Sequence, residues 1–273
     1  MSFREFSTSL PAAGGIGLHL RHARPEVNSG QIVIVHGASD HGGRLRPLMR
    51  FFASRGWTAV LPDLRGHGLS GGPRVHVDRF EDYLDDLDRV VTAATDPRLP
   101  TVLLGISLGG LIVARRLQTA APPAAAALVC PLFGYGFDVP APLLAAGRLI
   151  AGLRPRTKLS SAADSGGPRS GERRFVTAGW FAAVDRALED VWRDKGPAAC
   201  PMAVVQSQDD DVVDAAATSR WAARLGRRAV FHPLRDVGHD AFGGPGWREL
   251  AGRLERRFDA VTNGDVASVP RAA

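Results

Sequence analysis

The 273-residue sequence predicts an α/β fold with a mostly parallel central sheet flanked by helices. Short, wholly apolar runs alternate with segments of helical spacing, as in a sheet buried on both faces. One such run enters a Gly-x-Ser-x-Gly turn that opens directly into a helix. A stretch of about seventy residues then interrupts the alternation late in the chain, too long for a single crossover.

The strands expected are Gln31–Val35, Thr58–Leu61, Thr101–Leu104, Ala126–Cys130, Met202–Gln206 and Ala229–His232. Ahead of them, Phe3–Ser9 and Gly17–His22 fit an antiparallel hairpin around Gly14 and Gly15. Helical stripes cover Leu45–Ser54, Phe80–Ala94, Leu108–Gln118 and Trp247–Phe258; each stripe reads as a core-facing surface. Within the long interruption, Ala141–Leu153 and Thr177–Asp194 have helical spacing, separated by a Gly/Ser/Pro/Arg-rich loop over Arg154–Arg174 expected to be mobile. The expected division is a core over residues 1–131, a helical cap over 132–198, the rest of the core over 199–262 and a flexible tail over 263–273.

Composition narrows the class. With 45% hydrophobic and 23% charged residues, the chain can build a core and is not expected to be disordered. The first residues lack the apolar run of a signal peptide, and no stretch could span a bilayer, so a soluble cytoplasmic chain is expected. The net charge of +6 raises nucleic acid as a partner. Yet the basic residues, almost all arginine, are scattered apart from a cluster over Arg154–Arg174, and no aromatics interleave with them, so no nucleic-acid partner is expected. That cluster leaves contact with a lipid surface open. Cys130 and Cys200, each followed by proline, read as small buried hydrophobes; no metal site, disulfide framework or cofactor is expected.

The chemistry concentrates at Gly105-Ile106-Ser107-Leu108-Gly109-Gly110, between a strand and a helix. So tight a turn strains the backbone of Ser107 and lifts its hydroxyl clear at a helix N-terminus, while Gly105 and Gly109 avoid collision with neighbouring backbone. A serine hydroxyl needs a base, and the base an orienting acid; the acid is expected first and the histidine second, each just after a later strand. His239, beside Gly238, is the candidate base; His232 lies in or at the end of its strand. Four aspartates, Asp209, Asp210, Asp211 and Asp214, compete for the acid. For an oxyanion hole the candidate donors are the backbone N–H of Leu108 and that of Ala38, in the loop after the first central strand. His36, beneath that loop, reads as structural, and no chemistry requires His76.

These residues resemble the monoglyceride-lipase and lysophospholipase-like branch of the α/β-hydrolases (serine aminopeptidase S33 type). The likeness lies in His36-Gly37-Ala38-Ser39-Asp40-His41 with Arg44, in Asp63-Leu64-Arg65-Gly66-His67-Gly68-Leu69-Ser70-Gly71, in the Ser107 elbow and in Phe80–Leu87. It implies the α/β-hydrolase fold and a loop reading Asp, any residue, two apolar residues and a polar one. Asp210 satisfies that pattern as the acid, with Asp209 next. The likeness covers about residues 33–117 and 204–239 and fades across the cap. Asp40, Ile106 and Leu45 stand where the family usually has Glu, His and often Tyr. The activity implied is serine-dependent hydrolysis of a carboxylic ester, monoacylglycerol-like or of another medium-sized acyl group, through an acyl-enzyme. Acyl transfer or thioester hydrolysis would use the same residues, and a non-catalytic member of the fold would not need them. Oligomeric state is left open.

Overall fold

The computed structural model describes residues 2–160, 175–194 and 200–264. Eight strands form one sheet. Strands β1 (Phe3–Pro11) and β2 (Gly17–Pro25) make an antiparallel hairpin at one edge, turning through Gly14 and Gly15 at φ 79° and 70°. Then follow β3 (Gly30–Val35), α1 (Arg46–Ala53), β4 (Trp57–Pro62), α2 (Glu81–Ala94), β5 (Thr101–Ile106), α3 (Leu108–Thr119) and β6 (Ala125–Val129). After β6 come α4 (Ala141–Leu153), a small antiparallel pair β7 (Lys158–Ser160) and β8 (Phe175–Thr177), and α5 (Ala178–Arg193). The sheet is completed by β9 (Met202–Ser207), α6 (Ala215–Leu225), β10 (Ala229–Leu234) and α7 (Trp247–Thr262).

The strand order is β1-β2-β4-β3-β5-β6-β9-β10, parallel from β4 to β10. Strands β3, β4, β6 and β9 are buried at every position, which is why their sequences are mostly apolar instead of alternating, with Gln31, Thr58, Gln206 and Ser207 the polar exceptions. The chain runs outward from β3 to β4, then crosses back to β5 on the other side of β3. Such a reversal leaves a crevice at the carboxyl ends of the two strands. The loop after β3 and the turn after β5 both open there.

Helix α3 is nearly all core: ten of its twelve residues are buried, Arg115 and Arg116 among them. These two charges are paired, Arg115 with Asp190 and Asp194 of the α5 segment and Arg116 with Asp88 of α2. An unpaired charge there would be costly.

Several boundaries differ from expectation for local reasons. The strand expected to stop at His232 continues through Pro233 to Leu234; β10 is the edge of the sheet, where a proline nitrogen forfeits no ladder bond. Cys130 lies just outside β6, with φ 44°. Helix α1 starts one residue later than expected, after a 3₁₀ turn over Gly42–Leu45, and α7 runs four residues further. Thr177 and Asp194 flank α5, the Thr177 hydroxyl accepting from the Trp180 N–H. The Arg154–Arg174 segment contains β7, so it is not wholly loop; its residues 161–174, like the tail beyond 264, lie outside the described residues. No described helix is long and apolar enough to cross a membrane.

Candidate active site

The turn after β5 is as tight as its glycines require. Ser107 sits at φ 53°, ψ −118°, a strained conformation that persists only where the surroundings over-determine it. They do so here. The Ser107 N–H donates to Val129 O at 3.0 Å, and the Ser107 carbonyl accepts from Leu111 and Leu132. A Cβ on Gly105 would lie 2.4 Å from Gly109 O, and one on Gly109 would lie 2.1 Å from Val35 O. Both contacts are with backbone, which cannot move aside, so the two positions admit glycine alone.

The structure brings Ser107, His239 and Asp210 into one hydrogen-bonded chain. His239 Nε2 is 3.0 Å from Ser107 Oγ, and Nδ1 is 2.9 Å and 3.0 Å from the two Asp210 oxygens. Nδ1 can only donate to a carboxylate, so Nε2 of the neutral ring faces the hydroxyl as an acceptor. Asp210 is fully buried, whereas His239 is 22% exposed, open to a substrate. Burial would raise the Asp210 carboxyl, but the hydrogen bond and charge of His239 and the N–H groups of Val213 and Val212 outweigh it. The group is held below the usual carboxylate range.

The competing aspartates are occupied elsewhere. Asp209 accepts from the Asp236 N–H at 2.7 Å, and Asp214 caps α6 by accepting from the Ala217 N–H at 3.0 Å. Asp211 is exposed.

The loop after β3 runs beside the serine: a Cβ on Gly37 would stand 3.1 Å from Ser107 Cβ. His36, fully buried, fixes the next peptide. The Leu64 N–H donates to His36 Nε2 at 2.9 Å, so the proton is on Nδ1, which donates to Gly37 O at 2.7 Å. In a trans peptide the N–H opposes the carbonyl, so the Ala38 N–H turns away from His36. Burial lowers the His36 pKa, outweighing the Gly37 carbonyl and nearby carboxylates, and so favours the neutral ring this arrangement needs. Leu108, first in α3, carries one of the N–H groups that a helix leaves without an internal acceptor.

Two neighbours of Asp210 escape sequence reasoning. Gln206 Nε2 donates to Asp210 Oδ2 at 3.1 Å from the end of β9. The only available signal was a polar residue closing an apolar strand. The Cys130 thiol also lies beside Asp210. Cys130, Asp210 and His239 bring potential metal-ligating atoms within 4.8 Å of one another. Burial, reinforced by the Asp210 charge, pushes the thiol up to about 12. A metal would need the thiolate, and it would have to break the existing Asp210–His239 bond, so the donor set suits a hydrogen-bonded triad better than an ion.

The chain is also similar to known proteins. A family model described as serine aminopeptidase S33 matches residues 26–244. The phospholipase YtpA of Bacillus subtilis is 27% identical over 205 residues, 70% of this chain and 79% of that protein. The monoacylglycerol lipase of Mycolicibacterium smegmatis is 36% identical over 108 residues, 38% of this chain and 39% of that lipase, so this likeness spans well under half of either. Among solved structures, the monoacylglycerol lipase of Paleococcus ferrophilus superposes with a TM-score of 0.77 at 17% identity, covering 94% of this chain and 99% of that one. A soluble variant of monoglyceride lipase from Saccharomyces cerevisiae, in complex with a substrate analogue, gives 0.81 at 14% identity, covering 96% and 97%. At such identities the superpositions speak for the fold, and the family match speaks for descent. The chain is an α/β-hydrolase, a hydrolytic enzyme belonging to the serine aminopeptidase S33 family.

Proposed function

We propose that this hydrolase cleaves a carboxylic ester of medium-sized acyl group, monoacylglycerol-like, through an acyl-enzyme on Ser107. The observation that carries the reading is the unbroken chain Ser107 Oγ–His239 Nε2–Nδ1–Asp210 at a strained strand-to-helix turn. His239 takes the hydroxyl proton as Ser107 Oγ attacks the ester carbonyl. Asp210 holds the ring in the required tautomer and stabilises the imidazolium. The N–H groups of Leu108 and Ala38 receive the negative oxygen of the tetrahedral intermediate. Collapse expels the alcohol, protonated by His239, and water repeats the sequence to release the acid. The names of the relatives, phospholipase and monoacylglycerol lipase, support a lipid ester.

The same reading makes residues 132–198 a cap over the crevice, with α4 resting on a lipid surface while the acyl chain enters. Its support is the exposure of Leu143, Leu149, Ile150 and Leu153 on α4, with Phe137 just before it and exposed Arg154, Arg156 and Lys158 just after.

Covalent labelling with an alkyl fluorophosphonate, mapped by mass, should mark Ser107. Ser107→Ala should lose both the label and ester hydrolysis, with turnover down on the order of 10⁵ to 10⁶. Wild-type turnover of p-nitrophenyl butyrate by Ser107→Ala would refute the assignment.

A further inference from the structure

Two loops must be held in register for the proposed reaction, the one carrying Ala38 and the one carrying His239. Neither is held by secondary structure. Ser39 follows Ala38 at φ 55°, and Asp236 and Gly238 precede His239 at φ 57° and 66°; such left-handed residues are kept in place only by their surroundings. A guanidinium joins the two loops. Arg44 grips Asp40 with two parallel bonds, Nε to Oδ1 at 2.9 Å and Nη2 to Oδ2 at 2.6 Å, and with Nη1 reaches Asp240 Oδ2 at 2.5 Å. Asp40 is two residues from Ala38 and also accepts from the His41 N–H at 2.8 Å. Asp240 is the residue after His239. One rigid plane thus joins segments 196 residues apart.

Room for this contact is built into the backbone. A Cβ on Gly243 would lie 2.1 Å from Asp240 Oδ2, and the Gly243 N–H donates to Asp240 O at 3.0 Å. Glycine at 243 is therefore what lets the Asp240 carboxylate occupy its place.

The geometry points to Arg44 as a positioning residue that sets the distance between the oxyanion donor and the catalytic base by clamping Asp40 to Asp240. This rests on the Ser107 reading above. Arg44 is partly exposed and need not touch substrate; its effect passes through the loops it joins. The planar fork matters, because a lysine ammonium cannot hold two oxygens of Asp40 and one of Asp240 in fixed directions. Exposed ion pairs add little to global stability, so the clamp should register in rate far more than in melting temperature.

The test is a kinetic cycle of Arg44→Ala, Asp240→Ala and the double variant, with Arg44→Lys added, all on the full chain and p-nitrophenyl butyrate. A misplacement near 1 Å can cost up to about 100-fold in rate, so Arg44→Ala should lower kcat by roughly 10- to 100-fold, with KM changed by less than about twofold. Arg44→Lys should regain only part of that loss. The double variant should be no slower than the slower single one, because both break the same bridge. Fluorophosphonate labelling of Ser107 should slow in parallel. An unchanged kcat in Arg44→Ala, a loss confined to KM, or single losses that multiply in the double variant would overturn the clamp. If Arg44→Ala does not fold, Asp240→Ala, which cuts only the outer arm, decides by the same criteria. Ser107 labelling of the wild type separates the two readings: its absence defeats the parent reading, whereas normal labelling of every Arg44 and Asp240 variant defeats the clamp alone.

Discussion

At the scale of single residues, the site turns on which oxygen meets which hydrogen. Four aspartates stand within six residues, and their hydrogen bonds give them separate employments. Asp210 faces His239, Asp209 anchors the Asp236 N–H, Asp214 caps α6 and Asp211 is exposed. In asparagine the one remaining oxygen is claimed by the Val212 and Val213 N–H groups, so an NH2 donor faces His239 Nδ1 and the histidine tautomer is no longer fixed. Asp210→Asn should therefore cost on the order of 10⁴ in kcat. Asp214→Ala should instead remove a helix cap, lowering stability by about 1 kcal/mol with turnover retained. Turnover and urea midpoints of the four single Asn or Ala variants check this together. Equal mild effects on turnover across the set would reject Asp210 as the orienting acid.

At the scale of elements, the segment after β6 sets α4 apart. Of its thirteen residues only Gly147 is buried, pressed by the Phe181 ring, to which a Cβ would come within 3.1 Å. At 100° per residue, Leu143, Leu149, Ile150 and Leu153 fall within roughly 120° of one another, a continuous face turned from the protein. Placing a leucine side chain in lipid gains about 1.5 kcal/mol or more, and each 1.4 kcal/mol is tenfold in binding. The double substitution Leu149→Gln, Leu153→Gln should weaken co-sedimentation with phosphatidylcholine vesicles by roughly 100-fold, leaving hydrolysis of soluble p-nitrophenyl butyrate intact. Vesicle binding equal to wild type would remove the lipid-facing role. This scale is also where sequence reading was most uneven. The elbow was legible because its demands are local: two glycines and a serine in five residues express contacts within the same turn. Helix α6 was left without bounds because its buried stripe is mostly small, Ala217, Thr218 and Ala222 around Trp221, and alanine scarcely distinguishes an inner face from an outer one. Strands β7 and β8 have three residues each, too few to show a period. The partners Gln206–Asp210, Cys130–Asp210 and Arg44–Asp240 were beyond reach for a different reason. Each depends on how strand ends and loops meet in space, and no spacing along the chain encodes it.

At the scale of the whole molecule, stability should fall as the solution turns mildly acidic, because several histidines are folded into places that disfavour their charged form. His67 is the clearest. It is almost fully buried between Gly66 and Gly68, its Nδ1 donating to Arg65 O at 2.9 Å and its ring edge-on to His36 at 5.5 Å. Burial, aided by His36, lowers its pKa to about 4 from an ordinary 6.5. Burial likewise lowers His36, His22, His19 and His232. A histidine depressed in the folded state binds its proton first in the unfolded chain. Stability is then complete above about pH 6.5, declines as the pH falls, and for His67 reaches its full loss below about 4. That interval corresponds to about 3 kcal/mol for His67 alone. The carboxyls held low, Asp210, Asp63, Asp40, Asp96 and Glu5, add their loss only below their ordinary values of 3.8 to 4.5. Asp86, Glu255 and Asp259, raised by burial, act in the opposite sense just above those values. A single pH curve therefore mixes several groups, and a difference between two proteins is needed to isolate one. His67→Asn keeps a side-chain N–H for Arg65 O but has no proton to gain. Urea unfolding of both proteins at intervals from pH 7 to 4 gives the comparison. The wild type should lose about 3 kcal/mol more than the variant across that range. What matters is the change with pH, since a cavity left by the smaller side chain would lower the variant's stability equally at every pH. Parallel curves would mean that His67 takes up its proton in the folded protein as readily as in the unfolded chain, contrary to its burial.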